Sequence, residues 1–232
     1  MTQTPDPILL LSGAGLPHWI WDQVRKELSA SPTVVAERPR QAHASLTEYA
    51  AAALDSAPWD RFVVVAHSSG GTVAAEMVAL APDRVTALLA VTAVVPQPGR
   101  SFVTSMPFPR RLALSLAMRL AGTRPPDSAI RKGLAGRLDQ ETADRIVADF
   151  TAESAHLYRD KSEGTFPEHR GYLSTAQDAE LPTGLQRRFA QNLTPAWNES
   201  ISTGHLPMLE APELLAQHIE SFLAEAPISR AS

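Results

Sequence analysis

FVVVAHSSGGTVAAEM (Phe62–Met77) passes from a β-branched apolar run, Val63 to Val65, through a knot of small residues into a helix-forming stretch. No room is left for a loop, so strand, sharp turn and helix follow one another directly. This is the nucleophile-elbow pattern G-x-S-x-G, whose strained turn brings the backbone against strand and helix and so demands small residues two before and two after the serine. Centred on Ser68, those positions are Ala66 and Gly70; centred on Ser69, the upstream position is the bulky His67, which the turn would refuse. Ser68 is therefore the candidate nucleophile. The backbone N–H of Ser69, opening the helix, is the first candidate oxyanion donor.

The 232 residues suit one α/β domain with a full core, and two independent domains are not expected. A net charge of -4 with thinly spread Lys and Arg argues against nucleic acid. The absence of cysteine removes disulfides, thiol catalysis and cysteine–zinc sites together. MTQTPDPI lacks a basic, apolar leader and no apolar run reaches the length of a membrane span, so the expectation is a cytoplasmic protein with no membrane partner. Disorder is expected for the first few residues and for the tail after Ala226.

Upstream of the elbow, ILLL runs into Ser12-Gly13-Ala14-Gly15, a buried strand and tight turn. A helix is expected over Trp19–Ala30, a strand over Thr33–Ala36, and a capping box Ser45-Leu46-Thr47-Glu48 opens the next helix. Val85–Val95 reads as the following strand. This alternation is the signature of a parallel sheet covered on both faces. From Pro96 to about Arg170 the rhythm breaks, prolines punctuate, and the periodic parts are helical: Leu112, Leu116 and Leu120 form one stripe, and Ile146, Val147, Phe150 and Leu157 line a helix that Asp139 can cap. A helical cap over the sheet's C-terminal edge is expected at about 96–170, on a core of 1–95 and 171–232. The Leu stripe reads as cap core, and Phe102, Met106, Phe108, Leu112 and Leu116 as the pocket roof. Beyond Gly171 a strand at Tyr172–Thr175 ends at Asp178, Trp197–Ser202 approaches Gly204-His205, and Pro212 starts a closing helix.

Side chains that do chemistry on an open parallel sheet gather outside the carboxyl ends of its strands. Ser68, Asp178 and His205 all stand at such ends. A serine hydroxyl needs a base, and an imidazole serves best when a carboxylate fixes its tautomer and stabilises its cation. Glu180 is the reserve carboxylate. Ser12–Gly15 also has the look of a phosphate-binding loop, but the G-x-G-x-x-G spacing fails at His18 and no acidic ribose partner follows.

With these residues in view the chain resembles the α/β-hydrolase superfamily over nearly its whole length. It is most similar to the small branch that holds carboxylesterases, plant-type methyl esterases and hydroxynitrile lyases. The carrying stretches are SGAGLPHWIWDQV, AHSSGG, STAQDAELP and TGHLPMLEAP. The resemblance implies an α/β-hydrolase fold with a mostly parallel sheet of about six strands lacking the first hairpin, and Ser68, Asp178 and His205 as the triad. It also implies a second oxyanion donor at the Ala14 N–H, flanked by glycines that leave room for a carbonyl oxygen. Two positions depart from the family: Ala66 stands for glycine and Ser12 for histidine. The activity implied is that of a serine hydrolase on a small or medium apolar ester, with no cofactor and no metal. The rivals are a lyase, lactonase or thioesterase, and a triad-retaining receptor or cyclase. Lyases of this branch carry a lysine after the histidine and a threonine where Gly13 stands; here Leu206 follows His205.

Overall fold

The computed structural model describes residues 6–225. The termini for which disorder is expected lie outside that range. Six strands, β1 (Ile8–Leu11), β2 (Thr33–Val35), β3 (Phe62–His67), β4 (Val85–Val91), β5 (His169–Thr175) and β6 (Trp197–Ile201), form one sheet in the order β2-β1-β3-β4-β5-β6. Every pairing is parallel, with Leu10 opposite both Val35 and Val65, and His67 opposite Val91. The near-continuous apolar runs of β1, β3 and β4 follow from this, because a strand covered on both faces has no wet side to mark with polar residues. Alternate residues feed two separate cores. Leu9, Leu11, Val64 and Ala66 pack with helices α2 (Leu46–Ser56) and α3 (Gly70–Leu80), while Ile8, Leu10, Val63 and Val65 pack with residues of α1 (Asp22–Glu27).

Several expected boundaries shift for local reasons. The helix expected over Trp19–Ala30 is a 3₁₀ turn (His18–Trp21) followed by α1, which ends at Glu27 with Leu28 as its cap. Its neighbour β2 ends at Val35, one residue short of expectation. Strand β4 stops at Val91, not Val95, because Thr92 turns to a φ of 37° and leaves the ladder. Strand β5 begins three residues earlier than expected, at His169. The Ser45–Glu48 capping box opens α2 as expected.

Between β4 and β5 the regular structure is helical apart from one isolated bridge, Arg100 to Ser162. The helices are α4 (Phe102–Ser105), α5 (Phe108–Ala121), α6 (Asp127–Ala129) with a π-wound continuation (Ile130–Leu134), α7 (Gln140–Asp149) and α8 (Ala155–Arg159). Asp139 caps α7, accepting from the Thr142 N–H. The single helix expected to carry Ile146 through Leu157 is two: the chain leaves α7 at Phe150 and restarts where Ser154 caps α8. The Leu stripe of α5 also departs from expectation. Leu112, Leu116 and Leu120 are 59%, 55% and 77% exposed, and Phe108 68%. They are not cap core. The cavity-facing positions are Arg110, Leu114 and Met118, two residues out of phase and so about 200° round the helix. Periodicity reveals that a helix has an apolar face, and the tertiary fold decides which face turns inward.

The chain closes with α9 (Thr183–Leu193), α10 (Pro207–Glu210) and α11 (Pro212–Ala224), the last packing on α1 beneath the second core. Among the described residues no helix is long and apolar enough to cross a membrane.

Candidate active site

Ser68 occupies the turn between β3 and α3 with a φ of 54°, the left-handed region that a side chain normally avoids. The turn is as crowded as the small-residue pattern requires: a Cβ on Gly70 would stand 3.0 Å from that of Leu11. The strain lifts the serine above the sheet's carboxyl edge, where two loops bring their side chains to it. His205 Nε2 lies 3.1 Å from Ser68 Oγ, and His205 Nδ1 lies 2.8 Å from Asp178 Oδ2. An ionised carboxylate only accepts, so Nδ1 carries the imidazole proton and Nε2 offers its lone pair to the serine hydroxyl.

Asp178 is buried and saturated with donors. Its Oδ2 also accepts from Thr92 Oγ1 at 2.7 Å and Thr175 Oγ1 at 3.0 Å, and Oδ1 accepts the N–H groups of Glu180 and Leu181 at 2.7 and 2.9 Å. Burial pushes the carboxyl upward, but the hydrogen bond and charge of His205, with the Leu181 N–H and the Thr92 hydroxyl, outweigh it and hold the group well below the usual carboxylate range. Glu180, the reserve carboxylate, faces Arg110 at 3.6 Å instead. Thr92 carries no sequence signal beyond its place at a strand end, yet its unusual φ aims its hydroxyl at Asp178.

His67 does more than the sequence suggests. Its Nδ1 accepts the Gly13 N–H at 3.2 Å and its Nε2–H donates to the His205 carbonyl at 2.8 Å, so one fully buried imidazole ties the first turn to the histidine loop. Burial, with His205 nearby, drives its pKa down to about 3 and keeps it neutral.

The turn that bears Ala14 is held from several directions. The Ala14 N–H, the expected oxyanion donor, donates to Ser69 Oγ at 2.7 Å in this conformation. Ser69 thus contributes its side chain as well as its backbone N–H, which has no acceptor among the described residues. The Gly15 N–H donates to Glu153 Oε1 at 2.8 Å, and the Gly15 carbonyl accepts the Thr151 N–H at 3.0 Å. Glu153, its side chain 5% exposed, pairs with Arg38 at 2.7 Å and accepts the Tyr49 hydroxyl at 2.7 Å, while Arg38 donates to the Gly13 carbonyl. Sequence reasoning missed this knot, because Glu153 lies far along the chain from Arg38 and Tyr49 and the three share no motif. Gly15 is obligatory: its φ is 73°, and a Cβ would lie 2.2 Å from the Phe150 ring. Ser12, the departure from the family, accepts the Trp21 indole N–H at 2.9 Å.

A cavity of about 260 Å³ opens over Ser68, Ser69 and His205, roofed by Phe102, Met106, Leu114 and Met118 of the helical segment. Phe102 and Met106 match the expected roof. Phe108, Leu112 and Leu116 do not line it.

Residues 8–218 match the alpha/beta hydrolase family. The chain belongs to that family. No curated protein sequence matches this α/β-hydrolase. Solved structures with its fold include an extracellular alpha/beta-hydrolase from a Paenibacillus species, described as sharing structural and functional homology with tobacco salicylic acid binding protein 2 (TM-score 0.84, 17% identity, covering 94% of this chain and 98% of that one). A thermophilic esterase from Thermogutta terrifontis is similar at TM-score 0.74 and 20% identity, over 97% of this chain and 92% of that one. A methylesterase from Arabidopsis is similar at 0.72 and 15%, over 94% and 99%. At these identities the likeness speaks for the fold.

Proposed function

We propose that this α/β-hydrolase is a serine hydrolase that cleaves a small or medium apolar carboxylic ester through an acyl-enzyme on Ser68. The observation that carries the reading is the line Ser68 Oγ, His205, Asp178, with contacts of 3.1 and 2.8 Å, at the floor of a largely apolar cavity. In this reading residues 1–95 and 171–232 form the sheet core of one domain, and about 96–170 the cap that shelters the acyl group.

Ser68 Oγ attacks the ester carbonyl carbon while His205 Nε2 takes the hydroxyl proton; the Nδ1 proton stays between His205 and Asp178, whose charge stabilises the imidazolium. The carbonyl oxygen becomes an oxyanion against the Ser69 N–H. The Ala14 N–H joins it by releasing Ser69 Oγ, or the Ser69 hydroxyl, which holds Ala14 through a lone pair and keeps its own proton, donates in its stead. Collapse expels the alcohol, which takes the proton from His205 Nε2. A water activated by the same nitrogen then returns the serine and releases the acid.

A lyase of the related branch fits less well. A side chain at position 13 would meet Ser68 Cβ at 2.8 Å and His67 Nδ1 at 3.0 Å, so the threonine of those enzymes has no space here.

The test is a fluorophosphonate probe read by intact mass, combined with a turnover screen of simple esters, thioesters and lactones. Labelling at Ser68 with ester turnover supports the reading. Labelling without turnover of any class would make the protein a receptor or cyclase, and no labelling would remove the nucleophile.

A further inference from the structure

The chain has three tyrosines, and two of their hydroxyls are spent on protein acceptors: Tyr49 on Glu153 and Tyr172 on the Ala93 carbonyl. The third is different. Tyr158, on α8, is 8% exposed and lines the cavity above Ser68, its ring edge-on to Phe102 at 5.3 Å. Its hydroxyl has no hydrogen-bond partner among the described residues, and its oxygen is accessible rather than sealed within the protein. A phenol that the protein leaves unpartnered on a residue of an otherwise apolar wall is free to bond a polar group that the ligand brings.

The other polar groups along the cavity are already engaged. Thr123 Oγ1 donates to the Glu153 carbonyl at 2.5 Å, and Arg110 and Glu180 face each other with side chains 38% and 39% exposed. Ser68, Ser69 and His205 belong to the reaction. The remaining lining is apolar, including Met106, Leu114, Met118, Ile130, Leu134 and Phe150. Among the described residues no unpaired charge lines the cavity.

We infer that the substrate is a neutral ester whose otherwise apolar acyl part carries one hydrogen-bonding oxygen, a hydroxyl or a keto group, seated against the Tyr158 hydroxyl. This rests on the serine-hydrolase reading and narrows its substrate class. Burial raises the Tyr158 pKa, with the Glu153 charge adding to it, so the phenol keeps its proton and can donate as well as accept.

The experiment moves one hydroxyl, then one keto group, along the acyl chain of otherwise identical esters and reads kcat/KM relative to the unsubstituted ester, in wild type and in Tyr158→Phe. In wild type one position is expected to exceed the unsubstituted ester by about tenfold, the worth of one net neutral hydrogen bond. In Tyr158→Phe that ratio is expected to fall to about one, whatever happens to the absolute rates, with thermal melts confirming that the variant folds. A ratio near one at every position in wild type, or a peak that survives in Tyr158→Phe, overturns the inference while leaving the hydrolase reading intact. If unsubstituted esters are not turned over and Ser68 resists the fluorophosphonate, the hydrolase reading fails and the inference falls with it.

Discussion

Two buried polar clusters flank the first turn, and they use the same ingredients to opposite ends. In Ser68–His205–Asp178 a carboxylate saturated by donors backs an imidazole whose outer nitrogen opens toward the cavity through the serine. In Arg38–Glu153–Tyr49 the carboxylate side chain is 5% exposed, but its partners are a guanidinium, a phenol and the Gly15 N–H. The first cluster can move a proton, because one end of the chain is unfinished. The second has no serine in line with its carboxylate: Arg38 and Tyr49 border a small pocket beside Ser12 and Ala14, and the bonds of Glu153 and Thr151 clamp residues 151–153 of the helical segment onto the turn that carries Ala14. Burial and charge by themselves therefore do not mark a reactive site. A serine in line with an imidazole and its carboxylate does.

The sharpest way to break the contrast is Ser68→Ala. We predict a loss of about 10⁴ to 10⁶ in kcat with the fold intact, and little further loss on adding His205→Ala, since such groups act as a unit. If Ser69→Ala abolished activity and Ser68→Ala did not, the elbow register would be wrong; the Ser69 change is expected to cost about tenfold, one hydroxyl's worth. Next in size, Asp178→Asn should lower kcat by roughly 10² to 10⁴ through the wrong imidazole tautomer. Glu180→Gln should leave the rate near wild type. Retained activity in Asp178→Asn with loss in Glu180→Gln would transfer the acid role.

His67 links the clusters and supplies a pH test. Its folded pKa of about 3 lies below the ordinary histidine value of 6.5, so its contribution to stability is complete above pH 6.5 and drains away as pH falls toward 3, because only the unfolded chain takes up the proton in that window. The contribution at stake is on the order of 5 kcal/mol at most. Asp178, also depressed, adds its own loss only below the ordinary carboxyl value of 3.8. Thermal melts from pH 7 to 4 should show a falling Tm that His67→Gln flattens; identical slopes would refute the assignment.

Breaking the second cluster should look different from breaking the first. Glu153→Gln leaves Arg38 largely buried without its counter-charge and is expected to cost about 3 to 5 kcal/mol of stability. Adding Arg38→Met should restore part of that stability, measured by chemical denaturation, without restoring kcat, since the Gly13 carbonyl and the turn have still lost their clamp. Recovery of both together would mean that the knot serves stability alone. The smallest effect concerns the roof, where each acyl methylene held against Phe102 and Met106 should raise kcat/KM about fourfold, or about 0.8 kcal/mol, until the chain outgrows the cavity. Alanine at Phe102 or Met106 should flatten that climb. Phe108→Ala, at a site 68% exposed, should leave it unchanged; a flattened profile there would place Phe108 in the pocket after all.

The sequence by itself signalled the parallel sheet and the strand–turn–helix at Ser68, and it put Ser68, Asp178 and His205 at strand ends along one edge, because those depend on local signals. β-branched runs demand burial on two faces, a strained turn demands small neighbours, and strand ends in a parallel sheet share one edge. What only the tertiary structure decided depends on residues distant in the chain. Which side of α5 faces the cavity is set by where the helix lands on the sheet, so the Leu stripe pointed outward although its spacing was read correctly. The Arg38–Glu153–Tyr49 knot, the support of Asp178 by Thr92, the His67 bridge and the capture of the Ala14 N–H by Ser69 each rest on one to a few polar contacts between segments distant in the chain. A hydrogen bond has a range of about 3 Å, and the chain carries no periodicity that announces its partner.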